Sequence, residues 1–116
     1  MGNVSEFIAF KAKDIIEREY IKRIKVKELA KRMGITPNYL SEIYHWHVGE
    51  TIKETINKKE IELAKGLLQN TKLKVNQIAK TMNMEPHYFS RMFKKKIGCL
   101  PNDYRKRIKK EEKNEG

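Results

Sequence analysis

The chain has 116 residues, of which 39% are hydrophobic and 35% charged, so it can form thin helical cores but no large buried cavity. Its 26 Lys and Arg residues against 15 Asp and Glu residues give a net charge of +11, which favours a polyanionic partner, most commonly a nucleic acid. The single Cys99 excludes an internal disulfide, and no apolar run is long enough for a membrane span or typical of a signal peptide. We therefore expect a cytoplasmic protein with no membrane partner.

Apolar residues recur at helical spacing, and no alternating Val-, Ile- and Thr-rich segment indicates a strand, so the predicted fold is all-α with seven helices. The first helix is expected to start at an N-cap Ser5 and to bury a stripe from Ile8 to Tyr20. A short second helix over Val26–Met33 should end at Gly34 in the left-handed conformation.

The third helix has a strong start signal, because Thr36 can act as its N-cap and Pro37 suits the first helical position. It should stop before Gly49. Thr51 then opens a fourth, long helix that ends near Asn70 and presents an apolar inner face.

The fifth and sixth helices repeat the second and third, with Asn83 replacing Gly34 and Glu85 placing a carboxylate at the next helix N-terminus. Pro101 starts a seventh helix, and the charged residues after Ile108 are expected to fray. The predicted division is a first helix-turn-helix subdomain over 1–50, a linker helix over 51–70, a second subdomain over 71–108 and a tail over 109–116.

The most informative pattern is a repeat, since residues 24–49 return as residues 73–98 at an offset of 49 positions. Each copy has a small residue in its first helix, Ala30 or Ala79, followed four positions later by a turn residue. This is the helix-turn-helix pattern, in which the second helix lies in the DNA major groove. The residues identical between the copies are Ala30 and Ala79, Lys31 and Lys80, Met33 and Met82, Pro37 and Pro86, Tyr39 and Tyr88, Ser41 and Ser90, and Gly49 and Gly98.

The segments Tyr88–Lys106 and Ile61–Ala79 resemble the AraC/XylS family of bacterial transcription regulators, and the similarity covers about residues 8–108. The resemblance implies a DNA-binding domain that regulates transcription, with activation as the expected direction and RNA polymerase as a further partner. The first copy departs from the family, with Glu42 and Tyr44-His45-Trp46 where the family carries Arg and Phe-Lys-Lys.

The apolar phase of each second helix predicts which side chains point outward, and the family's base-reading positions map onto six residues. Arg91 is the strongest candidate, because an outward Arg can fork onto guanine, whereas Asn38 suits adenine. Glu42 can accept from cytosine or form a salt bridge to a nearby Lys. The base-reading candidates are Asn38, Ser41 and Glu42 in the first copy and His87, Tyr88 and Arg91 in the second. The phosphate-contact candidates are His45, Lys94, Lys95, Lys96 and Arg105.

Charge and length suggest how the copies divide the work. Residues 1–70 carry 13 basic and 10 acidic side chains, whereas residues 71–116 carry 13 and 5, so the second copy should supply most of the phosphate grip. A 19-residue linker helix spans about 28 Å, close to the roughly 34 Å between successive major-groove faces. One monomer should therefore cover an asymmetric site on double-stranded DNA.

Other chemistry is not indicated. His45 and His47 flank Trp46, but an i, i+2 pair points to different helix faces and no Cys completes a metal site. Trp46 itself is expected to pack at the helix end, and the alternative is that it lies against the DNA backbone. No catalytic pattern or cofactor motif is evident, so we expect no enzyme and no cofactor. Two alternatives are the DNA-recognition module of a transposase or recombinase, and a cationic helical bundle that binds proteins.

Overall fold

The computed structural model describes residues 3–115, with side chains described through Lys113, and within that range the regular structure is entirely helical. This confirms the predicted all-α class and the number and order of the helices. The elements are α1 (Asn3–Glu19), a 3₁₀ turn (Tyr20–Lys22), α2 (Val26–Arg32), α3 (Pro37–Val48), α4 (Ile52–Asn70), α5 (Val75–Thr81), α6 (Pro86–Ile97) and α7 (Pro101–Glu115).

The chain divides into two compact units, Met1–Lys59 and Glu60–Gly116, called here the first and second units. The boundary lies inside α4, so the first part of this helix belongs to one unit and its last part to the other. The predicted linker helix over residues 51–70 corresponds to α4, which supplies buried side chains to the core of each unit.

The first unit has a small core in which α3 packs against α1 and α2. Ala30 is fully buried, as expected of the small residue at which two helices cross closely. The other buried residues of this core are Ala12, Ile16, Ile24, Leu29, Leu40, Tyr44 and Ile52.

The second unit has a more aromatic core. Phe93 meets the ring of Tyr104 edge to face, with centroids 5.4 Å apart and planes at 72°, and Phe89 lies 6.1 Å from Phe93. Such pairs add to the stabilisation from burial alone. The remaining buried residues are Ala64, Leu68, Ile78, Ala79, Met82 and Met84.

The turn between the two helices of each motif has the same backbone bonding in both copies. The N–H of Ile35 donates to the carbonyl of Ala30 at 3.1 Å, and the N–H of Met84 donates to that of Ala79 at 2.8 Å. The predicted left-handed residues are confirmed, with φ of +72° at Gly34 and +58° at Asn83. Asn tolerates this conformation better than most residues with a side chain.

Two expectations at the ends of the chain differ from the structure. Because α1 begins at Asn3, Ser5 lies inside the helix and is not its N-cap; its hydroxyl oxygen lies 3.1 Å from Nε2 of His47. The helix α7, expected to run through Ile108, continues to Glu115. Lys and Glu are good helix formers, and opposite charges at Lys109 and Glu112 lie three residues apart, a spacing that supports a helix.

Within residues 3–115, none of the helices combines the length and apolarity that crossing a lipid bilayer requires.

Candidate nucleic-acid interface

The first candidate reading helix, α3, is fixed at its N-terminus by the predicted cap. The N–H of Tyr39 donates to Oγ1 of Thr36 at 3.1 Å, and Pro37 occupies the first turn. Because Leu40 and Ile43 are buried, the opposite side of the helix is left to solvent. The residues exposed there are Asn38, Ser41, Glu42, His45 and Trp46.

The C-terminal part of α3 is held on α4 by a polar chain under the helix. The hydroxyls of Tyr44 and Thr55 lie 2.7 Å apart, and Thr55 donates its proton to the Glu50 carboxylate, so the Tyr44 hydroxyl is the donor to Thr55. Lys58 donates to the other oxygen of Glu50 at 2.6 Å. Lys58 and then Thr55 lower the pKa of Glu50, whereas burial raises the pKa of Tyr44. These bonds leave α3 little freedom to rotate about its axis.

The second candidate reading helix, α6, is capped by a carboxylate instead of a hydroxyl. Glu85 accepts from the N–H of His87 at 3.1 Å and from that of Tyr88 at 2.9 Å. The bond from Tyr88, followed by that from His87, lowers the pKa of Glu85. Phe89 and Phe93 are fully buried, so the register of the exposed face is set by two large aromatic anchors.

All six predicted base-reading residues lie on exposed helix surface. Asn38, Ser41 and Glu42 share the outer side of α3, and His87, Tyr88 and Arg91 share that of α6. The structure thus brings each set of three together within its own unit. Among the described residues Glu42 forms no ion pair, so the alternative salt bridge to a nearby Lys is not made there.

The predicted phosphate contacts divide into two kinds. His45 on α3 and Lys94, Lys95 and Lys96 on α6 are exposed. Arg105 is half-buried instead, and its guanidinium donates to the carbonyl oxygens of Leu68 at 3.1 Å and Thr71 at 3.4 Å.

Carbonyls at the end of a helix lack partners within the helix and favour a nearby cation. Arg105 therefore has a structural role, joining α7 to the end of α4, which the prediction of a phosphate contact did not foresee.

The expectation that Trp46 packs at the helix end is wrong. Its side chain is 83% exposed and does not pack at the end of α3. The helical phase contained the signal, because Trp46 follows the outward Glu42 by four residues and lies on the same side of the helix. Its neighbour His47 turns inward to Ser5.

Metal ligands are not grouped in the described part of the chain, where no cluster of three or more His, Cys, Asp or Glu side chains could hold an ion.

Comparisons with known proteins bear on this surface. A family model described as a helix-turn-helix domain matches residues 29–107. No curated protein matches the chain. The C-terminal domain of AraT, a response regulator from Geobacillus stearothermophilus, is 30% identical, with a TM-score of 0.80 over 85% of this chain and 84% of that one.

Two more distant structures share the fold. The DNA-binding domain of AdpA, a global transcriptional factor solved in complex with a target DNA, has a TM-score of 0.80 at 15% identity, over 89% of this chain and 94% of that one. A probable AraC family transcriptional regulator from Rhodopseudomonas palustris has a TM-score of 0.72 at 17% identity, over 87% and 96%. With its two helix-turn-helix motifs, the chain therefore belongs to the AraC family of transcription regulators, as a domain that binds DNA sequence-specifically.

Proposed function

We propose that this domain binds an asymmetric promoter site by inserting α3 and α6 into neighbouring major-groove segments, and that binding activates transcription. The observation that carries the proposal is the pair of exposed faces, each with three polar base-reading candidates on a helix whose N-terminus is capped and whose inner side is anchored. An α-helix fits the B-DNA major groove, where each base pair presents a distinct pattern of donors and acceptors.

The side chains on these faces suggest what each unit reads. Arg91 can donate two hydrogen bonds to O6 and N7 of a guanine, and Asn38 can pair with N6 and N7 of an adenine. Glu42, which forms no ion pair among the described residues, can accept from N4 of a cytosine. Sequence preference should therefore be found in both half-sites.

The phosphate grip is assigned mainly to the second unit. Lys94, Lys95 and Lys96 are exposed on consecutive positions of α6, where they can neutralise phosphates on both sides of the groove. The first unit offers only His45 from the predicted set. Affinity should consequently depend on salt chiefly through α6.

The continuous helix α4 supports the use of both motifs on one duplex. Its 19 residues correspond to about 28 Å of helix, which is comparable to the groove repeat of about 34 Å. Because the two motifs are in tandem on one chain, a monomer can occupy the site without two-fold symmetry in the DNA. The proposal places this activity in the cytoplasm, with RNA polymerase contacted through surface outside the two reading helices.

The test is selection of binding sites from a random duplex pool at stated salt, followed by hydroxyl-radical footprinting. The wild-type chain should protect two groove segments about one helical turn apart. The variant Asn38→Ala, Ser41→Ala, Glu42→Ala should lose sequence preference in one segment and keep the other. A control variant, Asn102→Ala with Glu111→Ala on exposed positions of α7, should leave both segments protected.

Protection of a single segment, with the triple variant indistinguishable from wild type, would contradict the use of both motifs. A cationic protein-interaction bundle would give weak binding that is indifferent to sequence, and the selection would then enrich nothing. Activation is checked by placing the selected site upstream of a weak promoter and measuring transcript with purified RNA polymerase.

A further inference from the structure

Trp46 is an unusual residue on this surface. It is the only tryptophan of the chain, and at 83% exposed it is the most exposed of the large hydrophobic side chains in the described residues. A tryptophan combines a large apolar surface with one N–H donor, so it suits a partner that is apolar on one side and polar on the other.

The position of Trp46 on α3 points to the edge of the groove. It lies one helical turn beyond Glu42 and two turns beyond Tyr39, on the side of the helix that carries the base-reading candidates. Recognition helices contact bases mainly with their N-terminal residues. A side chain in the last turn is therefore best placed to meet the sugar-phosphate backbone that borders the groove.

The repeat gives an independent argument for placing this position beside the DNA backbone. At the offset of 49 residues, Trp46 corresponds to Lys95, which lies between Lys94 and Lys96. A run of three exposed lysines fits phosphates and nothing apolar. In the first unit the same three positions hold His45, Trp46 and His47. Of these, His47 is hydrogen-bonded to Ser5 on α1.

The surroundings of Trp46 also fit a DNA strand. An open groove beside it runs between the end of α3 and the start of α4, and its lining includes the exposed Lys53. A strand lying there would place a phosphate near the Lys53 ammonium while the adjacent deoxyribose covers the indole. The same groove is also lined by the Glu42 carboxylate, two histidine rings and the hydroxyls of Ser41 and Thr51. Within it, the Trp46 indole and the Lys53 ammonium match the alternation of sugar and phosphate.

We propose that Trp46 packs its indole against a deoxyribose of the DNA backbone and donates its N–H to a phosphate oxygen, so that the first unit makes an apolar contact where the second uses lysine. This inference rests on the proposed insertion of α3 into the major groove. It predicts a contact whose strength depends little on salt, because releasing water from apolar surfaces displaces no counterions.

The single tryptophan makes the contact directly observable. Trp46 emission, excited where tyrosine does not absorb, is recorded with acrylamide as quencher during titration with the selected duplex, while the anisotropy of a dye on that duplex reports binding. The complex should show emission shifted to shorter wavelength and reduced quenching, as expected when an exposed indole becomes covered.

The quenching and anisotropy signals distinguish failure of the Trp46 contact from failure of the proposed function. Saturable, sequence-dependent anisotropy with unchanged acrylamide quenching would overturn the contact and leave the proposed function standing. Absence of saturable anisotropy would overturn the proposed function itself, and the contact with it.

Variants then measure what the contact contributes. Trp46→Ala should weaken binding about tenfold, consistent with loss of one aromatic stacking contact, with the slope of log affinity against log salt unchanged. Trp46→Phe should recover part of the loss. Trp46→Lys should steepen that slope by about 0.9, the value for one added phosphate contact.

The matched control is Phe7→Ala, which removes another exposed aromatic, on α1 and outside the reading helices. It should leave affinity and slope at their wild-type values. Since Trp46 contributes nothing to the core, circular dichroism should be the same for all of these variants. Affinity of Trp46→Ala within twofold of wild type would overturn the inference.

Discussion

The two units use the same backbone turn but hold their reading helices by different chemistry. Tyr44 and Thr55 of the first unit correspond to Phe93 and Tyr104 of the second at the repeat offset. The first pair forms a hydroxyl–hydroxyl hydrogen bond of 2.7 Å, whereas the second is an edge-to-face ring contact with centroids 5.4 Å apart. Each unit thus has a contact between its reading helix and the following helix at the same pair of positions. The contact is a hydrogen bond in the first unit and an aromatic contact in the second.

The outer surfaces differ in the same way. Where α6 offers Lys94, Lys95 and Lys96, the end of α3 offers His45 and the exposed Trp46. Both units share the buried Ala, the left-handed turn residue and the inward apolar residues that form the motif. At the end of the reading helix, by contrast, the exposed positions carry charge in one unit and apolar surface in the other.

The largest expected effect comes from removing an aromatic anchor. Phe93→Ala should lower the free energy of unfolding by about 3–5 kcal/mol, because Phe93 is fully buried and its loss leaves a cavity beside Phe89 and Tyr104. Urea unfolding monitored by circular dichroism measures it, with the exposed Trp46→Ala as a control that should stay within about 0.5 kcal/mol. A loss below 1 kcal/mol for Phe93→Ala would mean that the ring contact is not a determinant of the second unit's stability.

The next effect sharpens the comparison of base reading. Arg91→Ala should cost about 1–3 kcal/mol of binding free energy and relax the preference for one base pair, since a bidentate contact to guanine is lost. Competition binding with single-base variants of the selected site measures it. Equal loss on all sequences would show that Arg91 contacts phosphate and reads no base.

The unequal division of phosphate contacts between the two units can be tested through the salt dependence of binding. The double variant Lys94→Ala, Lys95→Ala should make the slope of log affinity against log salt shallower by about 1.8. Between 50 and 200 mM salt, its affinity should therefore fall by roughly 12-fold less than that of the wild type. The corresponding pair in the first unit, His45→Ala with Trp46→Ala, should change the slope by less than half as much. Equal changes would mean that both units grip phosphates alike.

A smaller effect concerns the polar chain under α3. Tyr44→Phe removes the hydroxyl that donates to the buried Thr55 and should lower the free energy of unfolding by about 1 kcal/mol. The reciprocal Phe93→Tyr places a hydroxyl in an aromatic core and should also destabilise. Thermal unfolding of both variants checks this, and a stabilised Phe93→Tyr would show that the two pairs are interchangeable.

The smallest expected effect is a difference in pH dependence between the two helix N-caps. The pKa of Glu85 is lowered by bonds from the backbone of Tyr88 and His87, so its stabilisation of α6 is fully present above the ordinary carboxyl pKa. It is lost as pH falls through the lowered folded pKa. Thr36, which caps α3, does not titrate.

Amide exchange or chemical shifts of Tyr88 against Tyr39, followed by NMR on lowering the pH, should therefore change at Tyr88 alone. Glu85→Gln should abolish the dependence. A matching change at Tyr39 would place the titrating group elsewhere.

Local signals were sufficient for most of the fold. Thr36-Pro37 and the two turn residues mark helix ends through steric and capping preferences that act over four or five residues, so these boundaries could be read directly. The outward phase of the six base-reading candidates also followed from the period of the buried residues.

What could not be predicted depends on contacts distant in the chain. Ser5 meets His47 across 42 positions, and Arg105 reaches carbonyls 34 and 37 positions earlier, so neither partner is visible from local spacing. The predicted end of α7 differed from the structure for another reason, because a strongly charged sequence is compatible with both a helix and a disordered end. The expected packing of Trp46 was wrong because a tryptophan is usually buried, although the helical phase of this residue pointed outward.

The location of the unit boundary inside α4 has a consequence for folding. A free helix of 19 residues is barely stable in water, and here Ile52 and Thr55 are buried in one core while Ala64 and Leu68 are buried in the other. If either core melted, α4 would lose about half of the packing that stabilises it, and the other core needs α4 to stay helical. The two motifs should therefore denature in a single cooperative transition, so that a partly folded chain with only one competent motif is rarely populated.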